Sequence, residues 1–475
     1  MPCTNCRMYL LAAAAMTLAV LKPADLNGSE VFSFGSNASG RTGLGTTLGS
    51  TTVATPIDIS HLGDRAVKQV SAGREHSLLL TDEGDVYSFG TSAVGIIGRT
   101  TPIGSSQSVA AAIDTTNLGG DKITQVSAGG SHSLILAEDG DVYAFGYDLL
   151  GRTGRGIDSD TSTNTATPIN MSNFFGRKVV QIDAGSVHSL LLMNDGAVFS
   201  FGSNFDGATG LGTTAGSTSI ATPIDASNLG GRKIVQVEAG NFSLLLAEDG
   251  SVYSFGSNQF GQTGLGIDTN TDTLVATPID TSNLGGRKIS RISAGAQHSL
   301  LLADDGNVFA FGANFDGKTG QNVTSGNTTV ATPIATSTFG GRKIVDVAAG
   351  TDHSLLLADD GSVFSFGLNR FGRTGLGIDN FGDTLVPTSI LVTNLGVQRI
   401  TQISAGLWHS LIIAVPEPFG SLHAVIGLVG LIAVGRTRQR ACNVRSPALL
   451  KTRSPLGERL PRSRLGPRVP RPGTD

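Results

Sequence analysis

Between residues 30 and 414 apolar and polar positions recur as short runs separated by turn residues. The segment AGREHSLLLTDEGDVYSFG at residues 72 to 90 returns as AGGSHSLILAEDGDVYAFG, AGSVHSLLLMNDGAVFSFG, AGAQHSLLLADDGNVFAFG and AGTDHSLLLADDGSVFSFG. A fourth repeat, AGNFSLLLAEDGSVYSFG, is one residue short and has Phe242 but no His. The Phe-Gly pairs end at Gly35, Gly90, Gly146, Gly202, Gly256, Gly312 and Gly367, a period of 54 to 56 residues. Each unit predicts a hairpin. HSLLL and VYSFG are strand-forming runs, and the Asp-Gly between them (Asp305-Gly306, Asp360-Gly361) is a hairpin turn signal. A further strand, such as 233 to 237, precedes each Ala-Gly. Leu78 and Leu80 alternate with Leu79, so both faces of the hairpin are apolar, as sheets stacked face to face require.

The two ends of the repeat region complement each other. The first unit has only Val31-Phe32-Ser33-Phe34-Gly35, and the last stops at His409-Ser410-Leu411-Ile412-Ile413. Together they make one whole hairpin. Six internal hairpins and this one predict an all-β, seven-bladed β-propeller, closed by pairing of its N- and C-terminal strands and followed by one apolar helix. Closure leaves no open sheet edge, so a monomer is expected.

Composition fits many short strands: 64 Gly, 15% charged residues, 21 Phe against one Trp. The overall charge of −4 conceals a split. Residues 30 to 435 hold 21 basic and 35 acidic side chains, a net of −14, which argues against nucleic-acid binding by the propeller. Cys3, Cys6 and Cys442 all lie outside the repeats, so no disulfide or thiolate metal site is expected within them.

Both termini carry patterns of their own. Arg7 and the apolar run 8 to 21 predict a signal peptide over residues 1 to 24. At the other end Val415, Pro416, Glu417 and Pro418 precede an apolar stretch, 419 to 435, and then Arg436, Arg438 and Arg440. This order resembles the PEP-type C-terminal sorting signal of Gram-negative bacteria. That resemblance implies transient membrane anchoring through 419 to 435, an exosortase-type processing enzyme as partner, and release to the cell surface or an exopolysaccharide-rich matrix. The tail 441 to 475 departs from the pattern, because such signals end near the arginines. It is basic, Pro-rich and without apolar period, and is expected to be disordered.

The repeats resemble those of the regulator of chromosome condensation family, which are seven-bladed propellers. The residues that carry the likeness are the Ala-Gly-x-x-His-Ser motif and Gly256-Ser257-Asn258-Gln259-Phe260-Gly261-Gln262-Thr263-Gly264, with Thr263 where the family has Leu. Family membership implies binding rather than catalysis. It includes guanine-nucleotide exchange on a small GTPase and a secreted propeller that inhibits β-lactamase.

His76, His132, His188, His298, His353 and His409 occupy one place in six units, which points to blade packing. Each precedes a Ser, but strand neighbours point to opposite faces, so no His-Ser nucleophile pair is expected within a strand. No convergent acid pair for a hydrolase or lyase emerges, so no enzyme activity and no cofactor is expected. The acidic loops at 158 to 160, 268 to 272 and 379 to 383 lack the Gly and Glu of a calcium-binding loop. The positions the repeat leaves free are the informative ones. Arg74, Glu75, Gln297, Asp352 and Trp408 lie between Ala-Gly and the His-Ser pair, Phe242 lies in the shortened unit, and Tyr147 and Phe205 follow Phe-Gly. They are expected to share one face and to bind a protein or an extracellular polysaccharide. Trp408 is expected beside Arg74 and Glu75, since the last and first hairpins adjoin in the ring.

Overall fold

The computed structural model describes residues 28 to 417 apart from 103, 158–160, 215, 267–270, 325, 379–381, 393–394 and 397. It contains seven four-stranded antiparallel sheets, six of them ordered from the inside outward as the chain runs. Blade 1 comprises Val67–Ala72, His76–Thr81, Val86–Thr91 and Ser106–Ala112. Blade 2 comprises Ile123–Ala128, His132–Ala137, Val142–Tyr147 and Ser162–Pro168. Blade 3 comprises Val179–Ala184, His188–Met193, Val198–Ser203 and Ser217–Pro223. Blade 4 comprises Ile234–Ala239, Phe242–Ala247, Val252–Gly256 and Thr273–Pro278. Blade 5 comprises Ile289–Ala294, His298–Ala303, Val308–Ala313 and Asn327–Pro333. Blade 6 comprises Ile344–Ala349, His353–Ala358, Val363–Leu368 and Asp383–Ser389. Blade 7 is built from both ends of the region: Gln398–Ala405, His409–Pro416, Glu30–Ser36 and Ser50–Pro56.

The ring closes as the complementary half-hairpins require, with Val31 opposite Ile413 and Gly35 opposite His409. The last strand runs on to Pro416, so Val415 and Pro416 pair with Arg399 and Gln398 inside blade 7. The propeller therefore extends two residues past 414 into the Val-Pro-Glu-Pro motif, because the innermost strand of this blade starts early enough to pair with them. Glu417 is exposed just beyond. The signal peptide, Pro418, the stretch 419 to 435, Arg436, Arg438, Arg440 and the basic tail lie outside the described residues. Among the described residues no helix is long and apolar enough to cross a membrane.

Alternation along the HSLLL strands fills both faces of each blade. Leu78 and Leu80 pack with Ile135 and Phe145 of blade 2, whereas Leu79 packs with Leu411 and Ile413 of blade 7. The buried histidines then bolt blade to blade. His76 Nε2 lies 2.7 Å from Ser133 Oγ, and the pairs His132–Ser189, His188–Ser243, His298–Ser354, His353–Ser410 and His409–Ser77 repeat the bond at 2.7 to 2.8 Å. His and Ser neighbours on one strand do diverge, yet each meets its counterpart from the adjacent blade. Ser77 Oγ also donates to the carbonyl of Arg41, so its single proton is committed and it accepts from His409 Nε2–H. These imidazoles are neutral: burial pushes His76 and His353 down to about 3 and His188 to about 4. All lie below the ordinary 6.5. Their contribution to stability is therefore complete above about pH 6.5 and is lost as pH falls toward the folded values.

The Gly of Ala-Gly-x-x-His allows this approach. A Cβ on Gly73 would sit 2.8 Å from the Gly129 carbonyl of blade 2 and equally close to the His76 ring. Blade 4 is the exception. Phe242 occupies the His place, opposite Gly256 as His188 is opposite Gly202, and among the described residues Ser299 of blade 5 keeps its bond to the Gln262 carbonyl without a His partner.

The innermost strands are tied by a second belt. Gln69, Gln125, Gln181 and Gln236 each donate to a backbone carbonyl and accept from the N–H of the same residue in the next blade. Gln402 accepts from Val70 in the same way, and at blade 5 an Arg291–Asp346 ion pair of 3.5 Å takes the place of glutamine. Two residues further along the same strands, Ser71, Ser127, Ser293 and Ser404 accept from the next blade's Ala N–H. At that position blade 3 has Asp183 and blade 4 has Glu238.

Two expectations follow from residues that break the repeat. Asp183 accepts from Ser127 Oγ at 2.9 Å and Ala239 N at 2.6 Å, but burial outweighs these bonds and raises its pKa to about 6. Glu238 is also pushed up, by burial and then by the Asp183 charge. An acid with a raised folded pKa costs stability above that value, and the cost vanishes below the unfolded value of 3.8. Asp183→Ser, which restores the residue of blade 2, should therefore melt higher than the parent at pH 8, with the difference largely lost by pH 4. Equal melting at pH 8 would contradict the assignment. Phe175 takes a left-handed φ of 52° where the other blades place Gly119, Gly230, Gly285 and Gly340 at 59° to 67°, and its ring is 82% exposed. Left-handed backbone costs a non-glycine residue about 1 kcal/mol or more. Phe175→Gly should stabilise the domain by about 1 kcal/mol in chemical denaturation.

Candidate functional site

In every blade the turn between the first two strands and the loop between the last two emerge on one face. Backbone bonds hold them together: Thr91 N donates to Glu75 O, Ser36 N to Trp408 O, Ala313 N to Gln297 O and Leu368 N to Asp352 O. Each loop then folds over the next blade. Its seventh residue after Phe presses onto the following His-Ser strand, where Ser77, Ser133, Ser189, Ser243 and Ser354 donate to the carbonyls of Arg41, Ile96, Arg152, Ala208 and Lys318.

Apart from Tyr147 and Phe242, the expected binding residues divide into three groups on this face. The first is centred on Trp408, which is half-buried. The guanidinium of Arg373, from the blade 6 loop, lies 4.7 Å from its ring centroid. Arg373 is fully buried and pairs with Asp352 at 3.0 Å, and Asp352 also pairs with Lys318 at 3.0 Å. Asp352 is thus engaged in ordering two cations. Burial lowers the Arg373 pKa, and the Asp352 carboxylate opposes this.

The second group is Arg74 and Glu75. Their turn adjoins that of Trp408, with Leu407 N donating to Gly73 O at 3.2 Å. The cation stacked on Trp408 is nevertheless Arg373. Arg74 is exposed, and its carbonyl accepts from the buried Arg41 at 3.3 Å. Tyr147 on blade 2 is arranged like Trp408, with Arg152 over its ring at 5.5 Å.

The third group is Phe205 and Gln297, which share a depression of about 270 Å³ over blades 3 to 5. Phe205 is 57% exposed there. Phe242 is the correction. It is fully buried, because the shortened turn draws it into the His position between blades, and it offers no surface for binding.

Arg41, Lys318 and Arg373 were not singled out from the sequence. Their signal is legible in retrospect: the place before Thr-Gly, or before Ile97-Gly98 in blade 1, holds Arg41, Ile96, Arg152, Ala208, Gln262, Lys318 and Arg373, a variable position inside a regular motif. The six histidines are fully buried and engaged between blades, so they are closed to a substrate. Among the described residues no group of three or more His, Cys, Asp or Glu is arranged to hold a metal ion.

Comparison with known proteins agrees with this geometry. Residues 150–416 match the family described as RCC1-like domain, and 29–80 match the regulator of chromosome condensation (RCC1) repeat. A second repeat family matches 67–96 and 123–152. The mouse E3 ubiquitin-protein ligase HERC2 is 32% identical over 69% of this chain, but the match spans only 6% of that much longer protein. The Arabidopsis thaliana ultraviolet-B receptor UVR8 is 29% identical, covering 79% of this chain and 80% of the receptor. The yeast guanine nucleotide exchange factor SRM1 is 27% identical, covering 79% and 85%. Among solved structures, human WBSCR16 superimposes with a TM-score of 0.72 at 22% identity, covering 81% of this chain and 99% of that one. Yeast Prp20p, studied for its binding to Gsp1p and histones, gives 0.71 at 24%, covering 85% and 95%. With its repeats, its loop geometry and a family match over more than half its length, this chain belongs to the RCC1-like domain family.

Proposed function

We propose that this protein is a secreted or surface-associated, non-catalytic binding propeller that engages a partner protein or an extracellular polysaccharide through its variable loop face. One observation carries the reading. The residues common to the blades are buried between them, whereas Trp408, Arg74, Phe205 and Gln297 differ from blade to blade and are accessible on a single rim. Rigid scaffold and variable rim are the division of labour expected of a recognition surface. Trp408 stacked on an ordered arginine is also the kind of aromatic anchor that dominates interfaces. The signal-peptide and sorting patterns in the sequence support an extracellular address, with an exosortase-type enzyme as processing partner.

The 27% identity to SRM1 favours a second reading, nucleotide exchange on a small GTPase. That activity needs a cytosolic or nuclear address, against which both terminal patterns argue. Stimulated release of a fluorescent guanine nucleotide from a small GTPase would support it in place of the first.

Two measurements test the proposal. Trp408→Ala should weaken capture of the partner about thirtyfold, since an interface anchor contributes about 2 kcal/mol. Stability should drop by about 2 kcal/mol, the scale of a cation–π contact whose cation, Arg373, is desolvated. Arg74→Ala should weaken capture with no change in melting. Unaltered affinity in both variants would remove this rim from the interface. Separately, a reporter carrying residues 415 to 440 should reach the surface or medium of an exosortase-containing bacterium and lose the tail. Retention of the uncleaved fusion in the cytosol would sink the extracellular reading.

A further inference from the structure

Two departures from the repeat, one in the blade 4 turn and one in the blade 3 loop, border the depression over blades 3 to 5. The first turn of blade 4 lacks one residue, so Asn241 stands where the neighbours carry two side chains. The blade 3 loop also supplies Ala208 at the place where Arg41 and Lys318 send long cations under the next turn. Both changes remove volume at the same spot, and the backbone of the shortened turn closes tightly on the Gly295 carbonyl of blade 5. What remains is the cavity of about 270 Å³ described above.

Its walls are chemically specific. Phe205 offers an exposed ring on one side. Phe260, half-buried and held edge-on by Phe315 at 5.7 Å and 89°, offers a second ring. The backbone of Phe260 is fixed by Gln262, whose Oε1 accepts from its N–H at 2.8 Å. Asn241, Gln259 and Gln297 bring amides, each able both to donate and to accept. Among the described residues the lining contains no Lys, Arg or His. Its one acid, Asp206, is pushed toward the neutral form by burial and by the Asp272 carboxylate beside it. An anionic ligand would find no counter-charge here. The walls suit a neutral ligand with a C–H face for the rings and hydroxyls for the amides, of a size below that of drug-like molecules.

We infer that this depression binds a neutral sugar residue of a glycan. The inference rests on the binding reading above and narrows its ligand, at a site apart from Trp408.

The test is calorimetric titration of the full chain with neutral trisaccharides of glucose, mannose and galactose, alongside trigalacturonic acid and hexalysine. At least one neutral trisaccharide should bind saturably, and trigalacturonic acid should not. Phe205→Ala and Gln297→Ala should each weaken that binding tenfold or more without shifting the melting temperature. Ala208→Lys, which restores the long side chain under the turn, should abolish it. Trp408→Ala should leave it unchanged. Absence of binding by every neutral trisaccharide, or binding that survives Phe205→Ala, would overturn the inference. Preferential binding of hexalysine would also overturn it, in favour of a basic peptide held by Asp206. If the sugars fail while capture through Trp408 persists, only the sugar site is lost. If both fail, the binding reading fails with it.

Discussion

A four-stranded blade that is apolar on both faces cannot exist alone, and the contact between neighbouring blades is the constraint on which this molecule depends. That contact has an apolar part, typified by Leu79 against Leu411 on one side and Leu78 against Ile135 on the other. It also has a directional part, the His–Ser bonds at 2.7 to 2.8 Å and the glutamine belt on the inner strands. Hydrophobic burial holds the blades together but tolerates sliding. The buried hydrogen bonds set the register, since an unpaired buried polar group costs about 1 to 3 kcal/mol. Gly73 and its equivalents follow from the same contact, because a side chain there would collide with the next turn.

Once the inner ends of the blades are fixed in this way, the loops above them are free to vary without loss of fold. The face has consequently diverged into regions of different chemistry. Around blades 6, 7 and 1 it carries Trp408, the buried Arg373 and Arg41, and the Asp352 that orders Arg373 and Lys318. Around blade 4 it carries aromatic rings and amides, with no cation among the described lining residues. The same substitution of Phe242 for His that interrupts the His–Ser ring accompanies the shortened turn, so the break in the framework and the opening of the surface coincide.

The fold was legible in the sequence almost entirely, for a physical reason. A period of about 55 residues repeated seven times, with both faces of each hairpin apolar, leaves stacking in a ring as the way to bury every face. The missing halves at Val31–Gly35 and His409–Ile413 then specify how the ring closes. Which residues the repeat leaves variable was also readable, and with it the face on which Arg74, Gln297, Asp352 and Trp408 stand. Three-dimensional packing alone decided how those residues are used. Phe242 looked like a surface aromatic, but a one-residue deletion shifts it into the His position and buries it. Arg373 sits 35 residues before Trp408 in the chain, and only the fold of the blade 6 loop over blade 7 brings its guanidinium onto that ring. The depression at blade 4 needs a residue absent from one turn and a short side chain in the preceding loop to fall on the same spot. Periodicity reports what the blades share, whereas such sites arise where two local departures from it meet across a blade boundary.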